Sequence, residues 1–410
     1  MTEEEKSAYL FSIGLIVKNE EKTLPKLYEN IKDFVKSGGE VVILDTGSTD
    51  NTVNLAKSYG FKTYIAERSF IEHLSVKSIK TIKKIHIEED EVERANLLFK
   101  DDTTYFNFGK ARNELHKYIS NDIFIQIDGS DTLPVFDFEY IHQQIQNGSN
   151  RFEYTQIYGP VELTISRFYN KNIDLWEGRT HEILTNKLKK NIMVLPKNKL
   201  TVIHNFQPKK RTYLAGLFAD ILEKPTHTRT LYYLGRELFF SGLFKSTIKM
   251  LTKYVNQKDC WIPERSSGYC LIGNCYEQLG KDYYGEAFKA YNDAFIAFNG
   301  WREPLLKMGR LCQRTDEFQR GLCYAMASLS INRISAFAES SCNYLGLPHE
   351  IAYWGYFFTK REREACTHWK IAITLEPKHE KYNNDAQYFN KPEMFNIITL
   401  KNYLGNDYEI

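Results

Sequence analysis

The 410-residue chain holds no apolar run near the roughly 18 residues that a membrane-spanning helix needs. Its N-terminus, Met1-Thr2-Glu3-Glu4-Glu5-Lys6, is acidic and precedes only a short apolar run, unlike a secretory signal. These two absences predict a cytoplasmic protein. The seven cysteines all lie in the second half, their number is odd, and no CxxC pair occurs. That argues against a disulfide framework or a structural zinc site and predicts buried thiols. Charge of one sign is also lacking: 54 basic and 52 acidic residues leave a formal +2, so no global field exists for nucleic acid or anionic lipid. Apolar residues are not scarce. At 42% apolar, 14% aromatic and 26% charged, the composition is that of a folded protein, and the length implies two or three domains.

From Tyr9 to Phe206, short β-type runs alternate with helical stretches. Strands are predicted at 11–17, 40–44, 62–66, 123–127 and 201–204, and a helix over 22–35 with Leu24, Leu27, Ile31 and Val35 at helical spacing. Such alternation predicts an α/β sheet, mostly parallel. Ligands of parallel sheets sit beyond the carboxyl ends of the strands. The residues there are Lys18-Asn19-Glu20, Asp45-Thr46-Gly47-Ser48-Thr49-Asp50 and Asp128-Gly129-Ser130-Asp131. An aspartate in such a place can accept a hydrogen bond from a nucleobase imide, or simply close a strand-to-helix turn. Ser48 and Asp50 are expected caps for a helix starting near Asn51. Asp128 and Asp131 can hold a hard divalent cation that a diphosphate completes, or form an Asx-turn with solvated carboxylates.

Four runs in order, Ser12–Glu20, Val42–Thr52, Asn107–Leu115 and Phe124–Asp131, resemble the family 2 glycosyltransferases. The resemblance implies a GT-A (Rossmann-like) α/β domain that inverts the anomeric centre of a nucleotide-diphosphate sugar, by default a UDP-sugar, with Mn2+ or Mg2+. The runs Ile165–Tyr169 and Trp176–Leu184 resemble the acceptor-side segment of a subgroup with helical repeats behind the transferase, which includes bacterial peptide S-glycosyltransferases and viral homologues. By position, Asn19 and Glu20 open the nucleoside pocket, Asp45 meets the base, and Arg112 and Asn113 lie beside base and diphosphate; a structural salt-bridge former is the other reading of Arg112. Thr46 stands where relatives often carry a second acid, and Asp128-Gly-Ser-Asp131 replaces the usual Asp-x-Asp. Asp128, Asp131 and His204 are the expected metal ligands, with a sheet-end carbonyl as the other reading for His204. Inverting chemistry needs a base, for which Glu182 is the candidate, with His181 binding metal, phosphate or acceptor. Both can equally be loop residues. Lys209-Lys210-Arg211 can neutralise diphosphate or form a solvated face.

Residues 68–104 interrupt the family pattern, either as a mobile lid or as a helical excursion. A linker is expected over 207–228. From 229 to 377 the β-type runs vanish, and Gly235, Gly273 and Gly309 recur at close to the ~34-residue tetratricopeptide period. This resembles degenerate tetratricopeptide repeats, an α-solenoid of three to four helix pairs able to hold an extended peptide or protein partner; a plain helical bundle is the other reading. The tail, 378–410, either caps the repeats or packs on the first domain. The expected function is transfer of a sugar to a protein, peptide or glycan acceptor. A non-catalytic scaffold with a degenerate transferase domain is the alternative.

Overall fold

The computed structural model describes residues 8–100, 103–159, 161–185, 192–205, 213–332 and 341–405. Lys209-Lys210-Arg211 lies outside them. The chain divides into two compact units, 1–237 and 238–410.

The first unit is built on a nine-stranded sheet. Its strands are β1 (Phe11–Val17), β2 (Glu40–Asp45), β3 (Lys62–Ile65), β6 (Ile123–Asp128), β7 (Asp131–Phe136), β8 (Arg151–Tyr158), β9 (Val161–Asn170), β12 (Ile192–Val194) and β13 (Leu200–His204). Two hairpin-like pairs stand apart, β4 (Ile71–His73) with β5 (Thr104–Phe106), and β10 (Trp176–Glu177) with β11 (Ile183–Leu184). The helices of this unit are α1 (Leu24–Lys36), α2 (Thr52–Ser58), α3 (Val76–His86), α4 (Val92–Leu98), α5 (Phe108–Leu115), α6 (Phe138–Gln146), α7 (Leu214–Glu223) and most of α8 (Thr228–Phe240).

The main sheet runs β3-β2-β1-β6-β9-β8-β13-β7, with β12 beside β8. It is parallel from β3 to β6, and antiparallel pairs flank β9 and join β13 to β7. Both faces are covered. Phe11, Ile13 and Leu15 of β1 pack with Leu24, Leu27, Ile31 and Phe34 of α1, while Val42, Leu44 and Phe124 meet Ala111 and Leu115 of α5. Burial on both sides is why β1 and β6 read as continuous apolar runs. Strands β7, β8 and β9 escape the sequence reading because Pro134 and charged residues such as Glu153, Glu162 and Arg167 break their apolar pattern. The expected cap differs too: Asp50 accepts the Thr52 amide at 3.1 Å, but the Ser48 hydroxyl is engaged by Asp45 and the Asn19 amide.

Between β4 and β5, which pair with each other, the described residues of this segment carry α3 and α4. His86 and Phe99 pack on Phe218 of α7 at ring distances of 5.9 and 5.2 Å.

Among the described residues the second unit is all helical: α9 (Phe244–Val255), α10 (Ile262–Leu279), α11 (Tyr284–Ala297), α12 (Glu303–Arg314), α13 (Phe318–Leu329), α14 (Gly346–Phe358) and α15 (Glu362–Leu375), each packed on its successor. A Cβ on Gly273 would lie 2.4 Å from the Tyr291 ring, so only glycine lets α10 and α11 cross this closely. The tail adds α16 (Glu380–Asn384), α17 (Ala386–Phe389) and α18 (Ile397–Leu404). Tyr382, Phe389, Phe395 and Leu400 share a buried cluster with Tyr353 and Trp369, so the tail closes the end of the repeats. All seven cysteines are free and five are buried. Among the described residues, no helix is long and apolar enough to cross a membrane. The architecture is a GT-A-like α/β domain followed by an all-α tetratricopeptide-like solenoid.

Candidate functional site

Strand β1 lies between β2 and β6, with Val17 opposite Asp45 and Ile16 opposite Asp128. Two acidic positions therefore flank the carboxyl end of one strand. After β1, Asn19 takes a left-handed backbone at φ 56°. Its amide donates to Ser48 Oγ at 2.9 Å and its side-chain oxygen accepts the Thr49 amide at 2.7 Å. The Glu20 amide donates to Thr52 Oγ1 at 2.7 Å, and its buried carboxylate accepts from Thr23 Oγ1 at 2.8 Å. The turn after β1 and the loop after β2 thus form one platform. Asp45 is 2% exposed, and its carboxylate accepts the Gly47 amide at 3.2 Å and the Ser48 amide at 3.1 Å. The aspartate closes its own loop.

The second centre joins four elements. Asp128 ends β6, Arg112 comes from α5, Arg167 from β9, and Glu182 from the turn between β10 and β11. Arg112 Nη2 donates to Asp128 Oδ1 at 3.1 Å, Arg167 Nη1 to Asp128 Oδ2 at 3.0 Å, and Arg112 Nε to Glu182 Oε1 at 2.6 Å. The Arg112 guanidinium lies 5.0 Å from the Trp176 ring centre. Burial would raise the Asp128 carboxyl, but Arg112 and Arg167 together hold it well below the usual carboxylate range. Burial opposes ionisation of Glu182 as well, and the same two arginines bring it below its ordinary value. Glu182 is therefore ionised but weakly basic while Arg112 holds it.

Beside this network, Asp131 accepts the Asp128 amide at 2.8 Å through Oδ2, and its Oδ1 lies 2.7 Å from His204 Nδ1. Strand pairing makes this contact, since His204 of β13 stands opposite Asp131 of β7. The hydrogen bond to Asp131 raises the His204 pKa, whereas burial raises that of Asp131. The potential ligand atoms of Asp128, Asp131 and His204 all lie within 4.8 Å of one another. Two carboxylates and an imidazole suit Mn2+ or Mg2+ by donor type. The nearby guanidiniums make a bare cation unfavourable there, so these residues suit a cation that arrives with an anion.

Other expected site residues are directed elsewhere. The Asn113 side chain donates to the Trp176 carbonyl at 2.9 Å and accepts the Trp176 amide at 2.9 Å. One donor and one acceptor of its amide are taken by one backbone residue, so Asn113 pins β10 to α5. His181 departs from its neighbour. With φ 51° it turns its ring onto Tyr233, 4.2 Å between centroids, with Nε2 3.5 Å from Glu237. Burial lowers its pKa. The left-handed backbone sends His181 toward α8 and Glu182 toward Arg112, so the expected pair is split and His181 faces a protein wall. Sequence reasoning misses Arg167 as a site residue. It lies within the Ile165–Tyr169 run, an arginine directly before Phe168 and Tyr169, which are fully buried.

The fold and this cluster define a GT-A-like domain with acidic groups at the ends of its central strands. Residues 12–69 match the family model described as Glycosyl transferase family 2, spanning nearly all of β1 through β3. The match supports glycosyltransferase activity in general. No curated protein matches the chain. Among solved structures the chain is similar to MamA (18% identity, 41% of this chain and 84% of that one, TM-score 0.33). It is also similar to a thermophilic TPR protein of Thermus thermophilus (16%, 42% and 87%, TM-score 0.32). A third similarity is to TarS of S. aureus (12%, 67% and 50%, TM-score 0.34). These structural likenesses are too distant to carry a functional argument.

Proposed function

We propose that the first unit transfers a sugar, with inversion, from a nucleoside-diphosphate donor, UDP by default, to a protein, peptide or glycan acceptor. The observation that carries this reading is the placement of the Asp45 platform and the Asp128 cluster on either side of the β1 end, within and beside the segment that matches the family. The nucleoside lies along the Asn19, Glu20 and Asp45 platform and the diphosphate at Asp128. In the transfer, the acceptor heteroatom bonds to the anomeric carbon as the bond from that carbon to the phosphate oxygen breaks. The electron pair leaves with the diphosphate, and the acceptor proton passes to Glu182, an ionised carboxylate of that cluster whose basicity depends on its Arg112 partner. Asp128, Asp131 and His204 would hold a divalent cation, which when bound neutralises charge on the leaving diphosphate.

The second unit offers an open cavity of about 510 Å³ whose lining mixes polar residues such as Asn274, Lys307 and Arg310 with apolar ones such as Phe239, Leu306 and Leu347, the surface we assign to an extended peptide. Thermal unfolding with UDP, GDP and their sugars, each with and without Mn2+, tests the donor site, because a ligand of the native state raises the transition. One nucleotide should shift it selectively, and Asp128→Asn should remove turnover. If no nucleotide shifts the transition, the scaffold reading replaces the enzyme.

A further inference from the structure

We propose that Arg112 and Arg167 form a two-arginine clamp for the donor's diphosphate, closed by Asp128 until the donor arrives, and able to hold a nucleoside diphosphate without a divalent cation. The inference rests on the donor reading above and names the groups that meet the phosphates.

Three observations carry it. Each oxygen of Asp128 takes a different guanidinium, at 3.1 and 3.0 Å, so one carboxylate bridges two arginines from α5 and β9. A diphosphate presents the same pattern, oxygens accepting from two forks, with more charge and more acceptors. Second, the pairing leaves Arg112 incomplete. Its side chain is 3% exposed, Nε and Nη2 have partners, and Nη1 is buried with no hydrogen-bond partner among the described residues. Buried guanidinium donors are normally satisfied, so an unmet one in a strand-end site points to an absent acceptor. Third, exposure is graded across the network. Arg112 and Glu182 are 3% and 7% exposed, whereas Arg167 and Asp128 are 23% and 29% exposed. The Asp128–Arg167 pair is the accessible end at which an incoming anion competes.

Arg112 and Arg167 are balanced by Asp128 and Glu182, and a diphosphate replacing Asp128 finds two fixed cations already in place, one braced against Trp176. A cation held by Asp128, Asp131 and His204 then adds to this binding rather than creating it.

The test is calorimetric titration of the full chain with UDP and GDP, in EDTA and in Mn2+, for wild type, Arg167→Ala and Arg167→Lys. Arg167 is the residue to change because it is partly exposed, and circular dichroism melting checks that each variant is folded. The expected result is wild-type binding of one diphosphate in EDTA, at least tenfold weaker in Arg167→Ala and partly restored in Arg167→Lys. The matching nucleoside, lacking phosphate, should bind all three alike. Wild-type binding that requires Mn2+, or Arg167→Ala binding as tightly as wild type in EDTA, overturns the clamp and leaves the donor reading standing. If neither nucleotide binds in either buffer, the donor reading fails and the clamp with it.

Discussion

Arg112 and Asn113 are adjacent on one helix and do unrelated work. The arginine enters the charged network, while the asparagine fastens the backbone of Trp176 through both ends of its amide. Asn113→Ala leaves a Trp176 carbonyl and amide without partners, a loss of about 1–3 kcal/mol by the cost of unsatisfied groups. Urea denaturation should show that loss, with nucleotide affinity unchanged in the protein that remains folded. No sequence signal separates the two roles, because a helix presents neighbouring residues at different angles and only the packing says which faces what. His181 and Glu182 repeat the lesson: one left-handed backbone residue divides a pair that looks like a catalytic dyad in one dimension. Asp45, Asp128, Asp131 and His204 were legible because strand ends are predictable from apolar runs, and the polar residue that follows such a run is placed by them.

At the scale of elements, the parallel half of the sheet and β13 were legible, and β7, β8, β9 and β12 were not. Strands β1, β2 and β6 are buried on both faces and so announce themselves, whereas β8 and β9 carry mixed side chains whose pairing partners lie far off in sequence. The helix that carries Arg112 depends on a close approach. A Cβ on Gly109 would lie 2.3 Å from the Gly178 carbonyl oxygen, and that neighbour is backbone, which cannot rotate away. Gly109→Ala should therefore displace α5 from the turn that carries Glu182. A destabilisation of about 1–3 kcal/mol is expected from overpacking. Chemical denaturation measures it, and weakened nucleotide binding in the folded fraction would report the displaced arginine.

The whole molecule is two compact units, and one feature of the second predicts an acid response. His349 of α14 and His368 of α15 are 2% and 3% exposed, with their Nδ1 atoms 3.0 Å apart. Burial, aided by His368 and Arg302, keeps His349 well below its ordinary value, and burial holds His368 at about 4. Both rings are neutral in the folded state, and the unfolded chain binds protons more readily. Their contribution is complete above the ordinary value of 6.5 and is lost as pH falls through 6.5 toward about 4. For His368 the loss is on the order of 3 kcal/mol. Thermal unfolding across that range should show the second unit's transition falling, and His368→Phe should flatten the dependence. The sequence by itself determined the order of a strand-and-helix domain before a helical-repeat domain, because apolar alternation and the recurrence of small residues are local properties. It also determined the acidic residues at the strand ends. Only the tertiary structure decided that Arg112, Arg167, Asp128 and Glu182 meet, since α5, β9, β6 and the β10–β11 turn come together through strand register and sheet packing.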